Sequence, residues 1–139
     1  MSDMRQVVLD TETTGRQPGD DRVVEIGCVA LVNRTPTGKT YHVYINPERP
    51  MPEDAFKIHG LSDEFLKDKP VFKEIIGEFM DFVRGSELII HNAPFDMAFL
   101  NMEFGKAGEK PLDGMVSGVT DTVMMAREYF PGRHVGLDI

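Results

Sequence analysis

The chain holds a single cysteine, Cys28, among its 139 residues. One cysteine excludes an internal disulfide framework and fits a reducing compartment, read here as the cytoplasm. Cys28 stands in a Val/Ala/Leu run and reads as a small core residue rather than a nucleophile. No apolar run approaches the roughly 20 residues of a membrane-spanning helix, so no membrane association is expected. The residues after Met1 lack a basic-then-apolar leader pattern. Positive charge is also scarce: 15 Lys and Arg face 23 Asp and Glu, a formal net charge of −8. A protein that grips a long duplex through its backbone is usually basic. Any contact with nucleic acid is therefore expected to be short and metal-assisted, or to borrow affinity from a partner. Three catalytic signatures are missing as well. There is no Gly-x-x-x-x-Gly-Lys-Ser/Thr phosphate loop, no Cys/His cluster with zinc spacing and no Gly-x-Ser-x-Gly elbow. The sequence shows no internal repeat, and its length fits one domain with a real core.

What is present is concentrated near the start. Val7-Val8-Leu9-Asp10-Thr11-Glu12-Thr13-Thr14-Gly15 reads as an apolar strand ending in two carboxylates, followed by a polar turn. Side chains on a strand alternate faces, so Asp10 and Glu12 share one face. Two like charges that close repel unless something positive lies between them. A hard divalent cation such as Mg²⁺ suits such a pair. The tripeptide alone leaves two readings open, a metal site or a solvated strand end.

The rest of the chain alternates between strand and helix patterns. Arg5 to Asp10 reads as the first strand and Thr11 to Asp21 as a loop. Val23 to Asn33 reads as a second strand, Arg34 to Gly38 as a turn, and Thr40 to Ile45 as a third strand, together an antiparallel meander. Asn33-Arg34-Thr35 matches a glycosylation pattern but reads as turn residues. After a proline-rich segment, Glu53 to His59 reads as a short helix stopped by Gly60, and Ser62 as the cap of another. Phe72, Ile75, Ile76, Phe79, Phe82 and Val83 fall at helical spacing. Leu88-Ile89-Ile90 reads as a buried parallel strand, with a helix from Pro94 to about Lys106 behind it. Val119-Thr120-Asp121 reads as a fifth strand and Thr122 to Tyr129 as a helix. The sum is an α/β or α+β mixed sheet covered by helices.

Two further positions carry chemistry. Asp96 lies in the first turn of a helix, three and four residues before Phe99 and Leu100, so it shares their apolar face. A carboxylate in that position is costly unless it has a partner. A third metal ligand beside Asp10 and Glu12 explains it better than a helix-start Asp bonded to free backbone N–H groups, because neighbouring parallel strands deliver their C-terminal ends to one crevice. His59, in Ile58-His59-Gly60-Leu61, reads on its own as a structural or solvated histidine.

Four motifs occur in order: Leu9-Asp10-Thr11-Glu12-Thr13-Thr14-Gly15, Val24-Glu25-Ile26-Gly27, Ile58-His59-Gly60-Leu61 and His91-Asn92-Ala93-Pro94-Phe95-Asp96. The set resembles the DEDD-type 3′→5′ exonucleases of the histidine subtype, and among them the proofreading epsilon subunits of bacterial DNA polymerase III. His42-Val43-Tyr44, Asp63-Glu64-Phe65-Leu66 and Val119-Thr120-Asp121 extend the likeness over almost the whole chain.

The resemblance implies a ribonuclease H-like fold, with three antiparallel then two parallel strands flanked by helices. It implies that Asp10, Glu12 and Asp96 are catalytic and bind two divalent ions, Mg²⁺ or Mn²⁺. It further implies that His59 contacts the terminal nucleotide, that Asp54 lies near the terminal sugar, and that Thr11, Asn92 and Phe95 line the nucleotide pocket. The implied partners are a single-stranded or frayed DNA 3′ end and the polymerase catalytic and small accessory subunits. The family's third motif is a histidine followed five residues later by an aspartate. This chain offers only His134-Val135-Gly136-Leu137-Asp138, a spacing of four, which is not accepted as that motif. Residues 1–139 are therefore expected to be an exonuclease domain truncated before its final helices, with impaired activity. A DEDD ribonuclease trimming RNA 3′ ends and a non-catalytic polymerase-subunit interaction module are the rival readings.

Overall fold

The structure of the protein, a computed structural model, describes residues 4–122. Five strands build one sheet: β1 (Arg5–Thr13), β2 (Val23–Val32), β3 (Thr35–Tyr44), β4 (Glu87–Ile90) and β5 (Gly118–Asp121). Their order across the sheet is β3-β2-β1-β4-β5. β1, β2 and β3 pair antiparallel, whereas β4 pairs parallel with both β1 and β5. The mixed sheet expected from the sequence is the one found. Between the strands lie α1 (Glu53–His59), α2 (Asp63–Leu66), α3 (Phe72–Val83) and α4 (Ala93–Lys106).

Strand register explains which residues reach the core. Leu9 pairs with Cys28 on one side and Ile90 on the other, and Val7 with Ala30 and Leu88. These positions share a face, and all six are buried. α3 turns Phe72, Ile75, Ile76, Phe79 and Val83 inward, and α4 turns Phe99, Leu100 and Phe104 inward. Phe104 joins the two helices, with its ring 5.9 Å from Phe72 and 6.1 Å from Phe79. Gly60 closes α1 at φ 72°, the left-handed conformation that glycine adopts without strain. Ser62 caps α2 by accepting from the Phe65 N–H at 3.1 Å.

Two boundaries differ from the sequence reading. β1 does not stop at Asp10 but runs to Thr13, because β2 keeps pairing with it: Asp10 with Gly27, Thr11 with Ile26 and Glu12 with Glu25. Its parallel pairing with β4 ends at Leu9 with Ile90. The carboxylates thus stand inside a strand that has lost one neighbour. The expected turn at Arg34 to Gly38 is shorter, reduced to Asn33 and Arg34 at φ 51° and 69°, the left-handed pair of a tight hairpin. β3 then begins at Thr35 and contains both Pro36 and Gly38. An edge strand tolerates proline because its outer N–H groups have no ladder partner.

Candidate active site

Alternation along β1 sorts its polar end onto two faces. Asp10 and Glu12 follow Val8 on the face opposite the core, Asp10 exposed and Glu12 half-buried. Thr11 and Thr13 follow Leu9 on the core face and are buried. Thr11 Oγ1 donates a short hydrogen bond to Asp96 Oδ1, which ties β1 to the first turn of α4. Asp96 itself is only 5% exposed, on the face of α4 that carries Phe99 and Leu100.

The electrostatics of these acids agree with one another. Burial pushes the Asp96 carboxyl up to about 7. The Thr11 hydrogen bond opposes that shift, and the charges of Asp10, Glu12 and Asp121 add to it. Asp10 is raised first by desolvation, against its hydrogen bond from the Thr11 backbone, then by Glu25, with His91 partly offsetting. Glu12 is raised by desolvation, then by Asp10 and Glu25. Like charges crowd here, and among the described residues no ion pair neutralises Asp10, Glu12 or Asp96. Hard oxygen donors with excess negative charge fit a divalent cation. Among the described residues, however, no three His, Cys, Asp or Glu side chains converge as a ready metal cage. Asp96 lies within electrostatic reach of the other two acids, with one oxygen held by Thr11.

A cleft of about 650 Å³ opens beside Glu12. Thr11, Glu12, Asp54, His59 and Phe95, all singled out from the sequence, line it, and the exposed Ile58 stands at its wall. Asp54 comes from the first turn of α1. Phe95 comes from the first turn of α4, its ring 4.9 Å from that of Phe99. His59 is fixed by two bonds. Its Nδ1 accepts from the Leu61 N–H at 3.1 Å, so the proton sits on Nε2, which donates to the Thr13 carbonyl at 3.1 Å. Its ring nitrogens are thus spent on the protein, and the ring edge remains for a ligand. Asn92 does not line the cleft. It precedes α4 in the left-handed conformation, φ 64°, and its N–H donates to Asp121 Oδ1 at 3.1 Å.

A second hollow of about 290 Å³ lies on the other side of Glu12, bounded by Asp10, Glu25 and His42. His42 Nε2 is 2.5 Å from Glu25 Oε2. Glu25, His91 and Asp121 act electrostatically on these acids, His42 bonds Glu25, and none of the four was assigned a role from the sequence. The antiparallel register that places Glu25 opposite Glu12 is the signal that finds it.

An exonuclease family model matches residues 7–138. The chain belongs to this exonuclease family. It is 52% identical to the DNA polymerase III subunit epsilon of Rickettsia felis, covering 99% of this chain and 61% of that protein. It is 46% identical to the subunit of the same name from Pasteurella multocida, covering 96% of this chain and 55% of that protein. The likeness to epsilon subunits drawn from the four motifs is thereby borne out. The chain spans 55 to 61% of the length of these relatives. Among solved structures, exonuclease X in complex with 5′ overhanging duplex DNA aligns with a TM-score of 0.73 at 26% identity, over 94% of this chain and 68% of that one. Product-bound exonuclease I aligns with a TM-score of 0.81 at 16% identity, over 97% of this chain and 34% of that one, which shows the shared fold. His134, Asp138 and all but the first residue of the helix expected from Thr122 to Tyr129 lie outside the described residues.

Proposed function

We propose that this exonuclease domain removes nucleotides from the 3′ end of DNA as the proofreading partner of a replicative polymerase. The observation that carries the reading is the uncompensated group Asp10, Glu12 and Asp96 beside a cleft wide enough for one nucleotide. Asp10, Glu12 and Asp96 would hold Mg²⁺ or Mn²⁺, with two ions expected as in the family. Bound there, such ions supply charge stabilisation on the scissile phosphate and activation of the attacking water. The chain's own residues do the positioning. Thr11 holds Asp96 in the first turn of α4, where the charges of Asp10 and Glu12 reach it. Phe95 and Ile58 offer apolar surface to the terminal base. Asp54 accepts a hydrogen bond from the terminal sugar hydroxyl, and His59 stiffens the wall between α1 and β1.

A cleft of this size admits an unpaired end, and unpairing costs least at a mismatch. Single-stranded or frayed 3′ ends are therefore the substrates. The polymerase catalytic and small accessory subunits are the partners, which supply the grip on duplex that a chain of net charge −8 lacks. No helix among the described residues is long and apolar enough to cross a membrane. The cytoplasm is the proposed place of action.

A chimera tests this directly. Residues 1–139, joined to the remainder of the Rickettsia felis relative, should release nucleoside monophosphates from the 3′ end of DNA in Mn²⁺. A mismatched end should be cut faster than a paired one, and Asp10→Ala should abolish cleavage. Preference for RNA would favour a trimming ribonuclease. Association with polymerase subunits without any cleavage would favour a non-catalytic module.

A further inference from the structure

The motif glycine, Gly15, does not adopt a positive φ, so backbone freedom does not explain it. Its surroundings do. A Cβ built on Gly15 would lie 2.3 Å from Asp21 Oδ2 and 2.5 Å from Asp21 Cγ, far inside contact distance. The Asp21 carboxylate occupies the space that a side chain at position 15 would need.

That carboxylate is heavily used. Oδ1 accepts from Thr14 Oγ1 at 3.0 Å and from Arg49 Nη1 at 2.8 Å, and Oδ2 accepts from the Gln17 N–H at 3.0 Å. The Asp21 N–H donates to the Gln17 carbonyl at 2.7 Å, and Thr14 Oγ1 accepts from the Arg22 N–H at 3.0 Å. Arg49 also donates to the Asp20 carbonyl at 2.7 Å and the Pro50 carbonyl at 3.1 Å. These bonds join two stretches remote in sequence. Thr14, Gly15, Arg16 and Asp21 form the cleft wall that follows β1. Arg49 belongs to the segment leading into α1, which carries Asp54, Ile58 and His59 on the facing wall. The His59 bond to Thr13 ties the walls at one place, and the bonds of Arg49 to Asp21 and to the Asp20 carbonyl tie them at another.

We propose that Asp21 is a positioning residue that clasps the two walls of the nucleotide cleft and fixes its width, with Gly15 as the socket its carboxylate fills. The inference rests on reading the cleft as the seat of the terminal nucleotide. The carboxylate that bonds Arg49 also fills the place a Cβ on Gly15 would take, so the glycine and the clasp form one unit.

The test uses the 139-residue chain, Mn²⁺ and deoxythymidine 5′-monophosphate, with dissociation constants measured well below each variant's melting temperature. Asp21→Ala should weaken binding by roughly tenfold, because only a fraction of molecules then holds the competent cleft. Asp21→Asn, which keeps the acceptor for Thr14 and Arg49, should recover part of the loss. Gly15→Ala should be as harmful as Asp21→Ala in the wild-type background and harmless in the Asp21→Ala background, where the colliding atoms are gone. Arg49→Ala, at the partner end of the clasp, should weaken binding too, and it carries the test if Asp21→Ala does not fold. Affinity within twofold of wild type for Asp21→Ala or Arg49→Ala would overturn the clasp. So would equal harm from Gly15→Ala in both backgrounds. Failure of the wild-type chain to bind the nucleotide would overturn the reading of the cleft, and the clasp with it.

Discussion

Replacing Asp96 by asparagine should stabilise the metal-free protein at neutral and alkaline pH, although it removes a residue proposed as catalytic. Asp96 is 5% exposed, and its carboxyl is raised from 3.8 to about 7, first by burial and then by the charges of Asp10, Glu12 and Asp121. The sign follows from proton counting. Between those two values the folded chain holds a proton that the unfolded chain has released, so stability falls as pH rises. The contribution is complete below 3.8 and is lost as pH passes through about 7. Each tenfold difference in proton affinity corresponds to about 1.4 kcal/mol. From pH 5 to pH 8 the loss is therefore roughly 2 to 3 kcal/mol. For a domain of this size that is a fall in melting temperature of roughly 5 to 15 °C. The asparagine introduced by Asp96→Asn would still accept from Thr11 Oγ1 through its amide oxygen but has no proton to lose. Thermal unfolding in EDTA at pH 5 and pH 8, for the wild type and Asp96→Asn, measures the difference. The wild type should lose stability across that range, the variant much less. Saturating Mn²⁺ at pH 8 should restore about 2.7 kcal/mol to the wild type at a hundred times its dissociation constant and little to the variant. Parallel pH profiles for the two proteins would refute the reasoning, since Asp96 would then not carry the burial cost assigned to it.

Three other outcomes follow from the same geometry. Titration of Mn²⁺ should show binding by the wild type and at least a tenfold loss in Asp10→Ala, which removes one of the three acids and about 1.4 kcal/mol or more of cation binding; equal binding by both would reject the metal assignment. Arg22→Ala should cost roughly 3 to 5 kcal/mol in urea unfolding, because it strands Glu103, 1% exposed, which accepts from Arg22 at 2.7 Å and from the Val23 N–H at 2.9 Å. Cys28 is buried with its thiol pushed up to about 12. It should stay inert to thiol reagents at pH 8 until the chain unfolds, which a modification time course with and without denaturant will show.

The antiparallel meander with a buried parallel strand beside it, and the placing of Asp10, Glu12 and Asp96, were legible because both rest on local pattern. Strand alternation alone puts Asp10 and Glu12 on one face, and the apolar partners of Asp96 on α4 mark its burial. The length of β1 was not legible. Its last residues are polar, and the continued pairing with β2, Thr11 with Ile26, Glu12 with Glu25 and Thr13 with Val23, keeps them extended. The hairpin was misplaced for a related reason. Pro36 and Gly38 look like turn residues until β3 is known to lie at the sheet edge. The wider acidic site escaped because Glu25, His91 and Asp121 reach Asp10 and Asp96 only through cross-strand register and sheet order. Asp21 escaped because a residue that works by filling the space over a glycine leaves no periodic trace.

The end of the parallel pairing is what makes the site possible. β4 leaves β1 at Leu9, and the chain turns at Asn92 into α4, whose first turn brings Asp96 back against Thr11. Had β4 continued alongside β1, Thr11 would face a strand rather than a helix start. The cost of gathering these acids is offset by an apolar core centred on Phe72, Phe79, Phe99 and Phe104. On the proposed metal reading, the burial and like charges that raise the Asp96 carboxyl also favour a divalent cation, so cation binding and stability would be one linked quantity in this domain. Under the proposed function, an acidic chain that approaches a polyanion would have its need for a cation built into the fold.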